Sequence, residues 1–220
     1  MGNPGPSKED DLLRTAGTLL VCMMAVFSMR CPQGERTHEI RTSDDDGCVI
    51  VLADSLPRAV GWVCSDAEEA KVGTYVDSTG DTLISRAFYQ FDIGLREDPL
   101  RLHLQCLGAT GDRGPSRVYA VPDFEAQLRL SVNPAYDVSD HWNAADSGVL
   151  VATLSSIADT SFTVDISSLE VPESWSRLSF VLALADEGGP CNRWYDMMTW
   201  DYATNHNTTK PYVVCWWHGI

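Results

Sequence analysis

Residues 100–107 read LRLHLQCL, a strict two-residue alternation of apolar and polar side chains that only an extended strand can bury on one face. Leu100, Leu102, Leu104 and Cys106 share one side, and Arg101, His103 and Gln105 share the other. Residues 126–132 repeat the pattern with Ala126, Leu128, Leu130 and Val132 turned inward, and residues 161–166 do so with Phe162, Val164 and Ile166. In residues 177–184 the alternation of Leu178, Phe180, Leu182 and Leu184 is joined by Val181 and Ala183. Both faces of that strand are apolar, which predicts a central position with cover on each side.

Weaker strand segments lie at residues 48–53, 59–64, 73–77, 85–93, 116–121, 148–154, 196–199 and 211–217. Turn-forming clusters at 78–81, 108–115, 133–134, 186–190 and 205–209 separate the strands. No stretch beyond the N-terminus carries a 3.6-residue apolar period. The sequence therefore predicts an all-β domain over residues 48–220, an antiparallel β-sandwich of jelly-roll type.

The N-terminus reads differently. Residues 15–29, TAGTLLVCMMAVFSM, carry no charge and are too short to span a bilayer comfortably. Their length suits the apolar core of a signal peptide, with Val26 and Ser28 as the small residues before a cleavage site. The flank argues the other way, because Glu9, Asp10 and Asp11 outweigh Lys8 and Arg14. Residues 1–30 are thus expected to be a signal peptide, an anchor or a docking helix, and residues 31–47, with Asp44-Asp45-Asp46-Gly47, a polar linker.

Sixteen basic against thirty-one acidic residues give a formal charge of -15, which repels nucleic acid and anionic lipid surfaces. None of the seven cysteines forms a C-x-x-C pair, so zinc-knuckle and thioredoxin chemistry have no motif here. Removal of residues 1–28 would leave six cysteines, enough for up to three disulfides in an oxidising compartment; the alternative is that Cys106 and Cys215 are buried thiols. Asn207-Thr208-Thr209 is the single glycosylation sequon.

Catalytic motifs are missing as well. The chain has no G-x-S-x-G elbow, no H-E-x-x-H helix and no phosphate loop, and its five histidines share no metal-ligand spacing. The Asp44–Gly47 cluster lacks the alternating oxygen ligands of a calcium loop. A structural calcium held by scattered loop carboxylates such as Asp77, Asp81 or Asp165 is compatible with the sequence, and no other cofactor is indicated.

The order of segments resembles the DNRLRE-type carbohydrate-binding β-sandwich domains over about residues 58–217. Ser85-Arg86-Ala87-Phe88-Tyr89-Gln90-Phe91-Asp92-Ile93 is similar to that family's arginine-led strand ending in F-D, and Leu100 to Leu104 to its alternating element. Phe162-Thr163-Val164-Asp165-Ile166 and the closing Lys210-Pro211-Tyr212-Val213-Val214 follow in the same order. The small residue usual before the alternating element is missing, and the end reads Val214-Cys215-Trp216-Trp217 where the family has one tyrosine. The resemblance implies a secreted or surface-displayed module that engages polysaccharide without catalysis.

Aromatic residues in polar surroundings are the candidates for such contact, because a flat ring stacks on the apolar face of a pyranose. They are Trp142, between His141 and Asn143, and the group Trp194, Tyr195, Trp200 and Tyr202. Phe88, Phe91, Phe162 and Phe180 belong to packing. Arg86 is expected to be held structurally by Asp92 or Asp165. Two functions of different class remain: a glycan-binding module, and an assembly protein of a virion, tail or surface layer whose domain packs on copies of itself.

Overall fold

The computed structural model describes residues 33–65, 67–94, 97–112, 114–121, 136–157, 161–172, 175 and 177–218. The expected N-terminal segment and the strand at residues 126–132 lie outside the described residues. Glu35–Trp217 forms one compact unit, and the fold below is that unit's.

Thirteen strands are described: β1 (Gly34–Glu39), β2 (Asp46–Leu52), β3 (Val60–Cys64), β4 (Glu69–Val76), β5 (Thr82–Phe91), β6 (Glu97–Thr110), β7 (Ser116–Val121), β8 (Tyr136–Asp137), β9 (Val149–Leu154), β10 (Ser161–Asp165), β11 (Leu178–Leu184), β12 (Arg193–Met198) and β13 (Tyr212–Trp217). Three short helices join them: α1 (Ser139–Trp142), α2 (Ala144–Ser147) and α3 (Trp200–Asn205). The sheet runs β1-β13-β6-β12-β4-β5-β11-β7-β9, with β10 beside β6, β2 between β5 and β3, and β8 beside β3. Every registered pair is antiparallel. The protein is all-β, as the alternation requires.

Two long strands organise it. β5 pairs with β2 over residues 83–89 and also with β4 at residues 82–85 and β11 at residues 87–91. Its Ala87, Tyr89 and Phe91 enter one buried cluster with Leu102, Leu104 and Cys106 of β6 and Phe180 and Leu182 of β11. Ile84 and Phe88 enter a second cluster with Val49 and Val51 of β2, Val181 of β11 and Trp142 and Ala145 of the two adjoining helices. All seven residues of β11 are buried, so the expectation of a strand covered on both faces holds. Each fully buried Phe or Leu contributes roughly 1.5–3 kcal/mol, so these two clusters supply most of the driving force.

Residues 34–47 are not a linker. Ile40 is buried in the first cluster, and its amide donates to the Pro211 carbonyl at 3.2 Å. Asp45 closes a capping box with Thr42 and faces the Arg177 guanidinium, while Asp46 begins β2. Burial of these polar groups is offset by specific partners, which polarity alone does not reveal. Gly47 allows the approach: at φ +150°, a Cβ there would stand 1.9 Å from the Cys64 carbonyl oxygen.

None of the five described cysteines, Cys48, Cys64, Cys106, Cys191 and Cys215, is in a disulfide. Cys106 and Cys215 are buried, in keeping with the thiol alternative. Cys48 and Cys64 face each other in register across β2 and β3, and their mutual hydrogen bond, with burial, raises the Cys48 thiol well above its ordinary value.

Gly47→Ala is expected to lower unfolding free energy by about 2–4 kcal/mol, because backbone strain and a backbone clash act together. Gly80→Ala, at φ +93° with nothing within 4 Å of the added carbon, should cost only about 1 kcal/mol. Urea denaturation of the two variants checks the contrast.

Candidate functional site

The five aromatic candidates do not share one surface. Trp142 closes α1 with its ring in the second cluster, only 4% exposed. Its indole lies under the Arg86 guanidinium, 3.8 Å from ring centroid to Cζ, and its carbonyl accepts from Arg86 Nη1 at 2.6 Å. Tyr195 is 1% exposed; its hydroxyl accepts from the Ile157 amide at 3.2 Å and reaches the Gly114 carbonyl at 3.4 Å. Both rings serve packing.

Trp194, next to Tyr195 in β12, faces the other way and stays partly exposed. Its indole nitrogen donates to Asp196 Oδ2 at 3.2 Å. Asp196 Oδ1 in turn accepts from Lys71 Nζ at 2.8 Å, and that ammonium stands 5.1 Å from the indole centroid. Tyr75 meets the same indole edge-on, centroids 5.8 Å apart and planes at 63°. Burial pushes the Tyr75 phenol up, so it stays protonated and able to donate.

Gly73 makes this arrangement possible. It sits opposite Trp194 in the β4–β12 register at φ +149°, and a Cβ there would lie 2.8 Å from Trp194 Cβ and 2.2 Å from the Arg193 carbonyl. Neither Lys71 nor Tyr75 stands out in the sequence, where each is an ordinary member of a strand. The signal available was the alternation of β12 itself, which forces Trp194 and Tyr195 to opposite faces.

Trp200 and Tyr202 belong to α3. Thr199 caps that helix, accepting from the Tyr202 amide at 3.4 Å and donating to the carbonyls of Ala67 and Glu68 at 2.7 Å. The Trp200 amide donates to Asp46 Oδ2 at 2.7 Å, and Lys210 Nζ lies 5.1 Å from its ring. Tyr202 stacks on His206 at 4.2 Å.

The expected partners of Arg86 are corrected. Its Nε and Nη2 donate in a fork to both oxygens of Glu187, at 2.8 and 2.7 Å. Asp92 instead accepts from Arg177 Nε at 2.8 Å and from Arg41 at 3.2 Å. Asp165 accepts the amide and hydroxyl of Ser167, and these bonds hold its carboxyl below the usual range. Asp77 and Asp81 likewise share the Thr79 hydroxyl within their own turn, at 2.7 and 3.0 Å. The carboxylates considered for calcium are thus engaged in closing turns.

An indole, a phenol, an ammonium and a carboxylate meet around Trp194. This set can stack on a C–H face and exchange hydrogen bonds with hydroxyls. No protein-family model matches the chain, and no curated protein matches it.

Asp46 offers a pH test of the α3 attachment. Burial lifts its carboxyl well above 3.8, against the opposing pull of the Trp200 amide. A raised folded-state pKa means the protonated form is favoured, so this group's contribution to stability is full below about pH 4 and is lost as pH rises through the folded value. Asp46→Asn keeps an acceptor for Trp200 without the charge. It should gain on the parent as pH rises from 4 to 8, and urea denaturation across that range checks the sign.

Proposed function

We propose that this chain is a non-catalytic β-sandwich module of jelly-roll type, secreted or surface-displayed, that binds polysaccharide. The observation carrying the reading is the partly exposed Trp194 indole, oriented by Asp196 and flanked by Tyr75 and Lys71. Fixing the ring in advance reduces the ordering cost of stacking a sugar on it. The resemblance to DNRLRE-type domains supports the same reading. A net charge of -15 disfavours uronate- or sulfate-rich polymers, so the ligand class is a neutral glycan. Affinity is expected in the range of about 1 μM to 1 mM, as for a single small site.

Affinity electrophoresis through gels containing soluble neutral polysaccharides tests the proposal. The full chain should be retarded by at least one glycan, and Trp194→Ala should abolish the retardation while leaving the circular dichroism spectrum intact. Retardation unchanged in Trp194→Ala would refute the assignment of this site.

A second reading, self-association in an assembly, is favoured by β9. This strand ends the main hydrogen-bonded path of the sheet, and Val149 and Leu150 are each 51% exposed on it. Exposed apolar residues on an edge strand template pairing with another strand. On this reading sedimentation velocity shows a concentration-dependent oligomer that Leu150→Lys converts to monomer, and glycan retardation is absent.

A further inference from the structure

We propose that His38, Glu97 and Cys215 form a binding site for a divalent cation of the zinc class. The three come from β1, β6 and β13, which are neighbours in the sheet. A histidine nitrogen, a carboxylate oxygen of Glu97 and Cys215 Sγ all lie within 4.8 Å of one another. His38 Nε2 and Glu97 Oε2 are 2.7 Å apart.

A register shift creates the cluster. β13 pairs Val213 with Leu102 and Val214 with Arg101, then skips Leu100, so that Cys215 meets Pro99 and Trp217 meets Glu97. The inward face of β6 therefore passes from Leu102 and Leu104 to Pro99 and Glu97. A proline tolerates this irregular position because it has no amide to place in the ladder. The shift turns the Glu97 carboxylate toward the buried side, where it is 7% exposed next to a fully buried Cys215.

Part of that burial is answered within the fold. Glu97 Oε2 accepts from the Gly94 amide at 2.7 Å, and Oε1 faces Arg36 Nη1 at 3.5 Å. Cys215 Sγ, by contrast, is packed into the first core cluster beside these polar groups. The two charges of a dication match one carboxylate and one thiolate. Loading forms the metal–sulfur bond and releases the Cys215 proton to solvent.

The donor set decides the cation. Mixed nitrogen, oxygen and sulfur ligands suit zinc and its neighbours, whereas calcium and magnesium take oxygen alone. Zinc bonds of about 2.0–2.3 Å in a tetrahedron place ligand atoms roughly 3.3–3.8 Å apart, so adjustments of about 1 Å seat the ion. The fourth position falls to water. His38 also lines an open cleft with Thr37, Ile40, Arg41 and Lys210, which gives a route in. Histidine spacing in the sequence misses the site because its three ligands lie on strands far apart in the chain.

Titration of the reduced full chain with Co2+ tests the proposal, in a Cys22→Ser, Cys31→Ser, Cys191→Ser background. One equivalent should bring a near-ultraviolet thiolate-to-cobalt charge-transfer band and visible bands of tetrahedral intensity, both removed by Zn2+. Cys215→Ser should lose the charge-transfer band, and His38→Gln, a change at a half-buried side chain, should weaken binding at least tenfold. No band in the parent, or a band of equal strength and affinity in His38→Gln, overturns the site and leaves a plain His38–Glu97–Arg36 ion-pair cluster. If Cys215→Ser fails to fold, the parent and His38→Gln titrations decide the matter.

Discussion

A guanidinium on a strand covered on both sides must be neutralised where it stands, and the second half of the core is arranged around that requirement. Arg86 occupies β5 between Ile84 and Phe88, whose side chains enter the second cluster. Its planar fork takes both oxygens of Glu187, a further donor takes the Trp142 carbonyl, and its face rests on the Trp142 indole. Helices of four residues have no intrinsic stability in water. α1 and α2 hold their place because Trp142 is clamped and Ala145 is buried. One residue thus ties the central strand, the helical cover and the loop between β11 and β12, and the compact point charge of a lysine has no equivalent for the fork and the stack together.

What was legible in the sequence follows from how each element is buried. β6, β10 and β11 alternate because one or both of their faces meet an apolar core, and period alone betrays them. β1, GERTHE, has no apolar residue to alternate; its half-buried side chain is His38, which meets a carboxylate. Residues 34–47 read as linker for the same reason, since Asp45 and Asp46 are buried against Arg177 and the Trp200 amide. Polar burial depends on partners far away in the chain, and composition carries no trace of them.

The candidate site was legible only in part. Polar neighbours made Trp142 look like a loop residue, yet a single helical turn is enough to rotate its ring inward while Asn143 stays exposed and His141 half-buried. Trp194 and Tyr195 could never have shared a surface once β12 is a strand. Lys71 and Tyr75 join Trp194 across the β4–β12 register, a relation fixed by pairing and by the missing side chain of Gly73. Arg86 finds its carboxylate partner in Glu187, which stands 101 positions along the chain.

The position of β1 has a kinetic consequence. Among the described residues its strand partner is β13, and those two strands come from opposite ends of the described sequence. Closing so long a loop costs chain entropy before any contact repays it. The β2–β5 and β4–β5 pairs, close in sequence, carry no such delay. Folding is therefore expected to begin around β5 and to leave the β1–β13 seam until last, so that amide hydrogens along this seam exchange by partial opening while those of β5 wait for global unfolding.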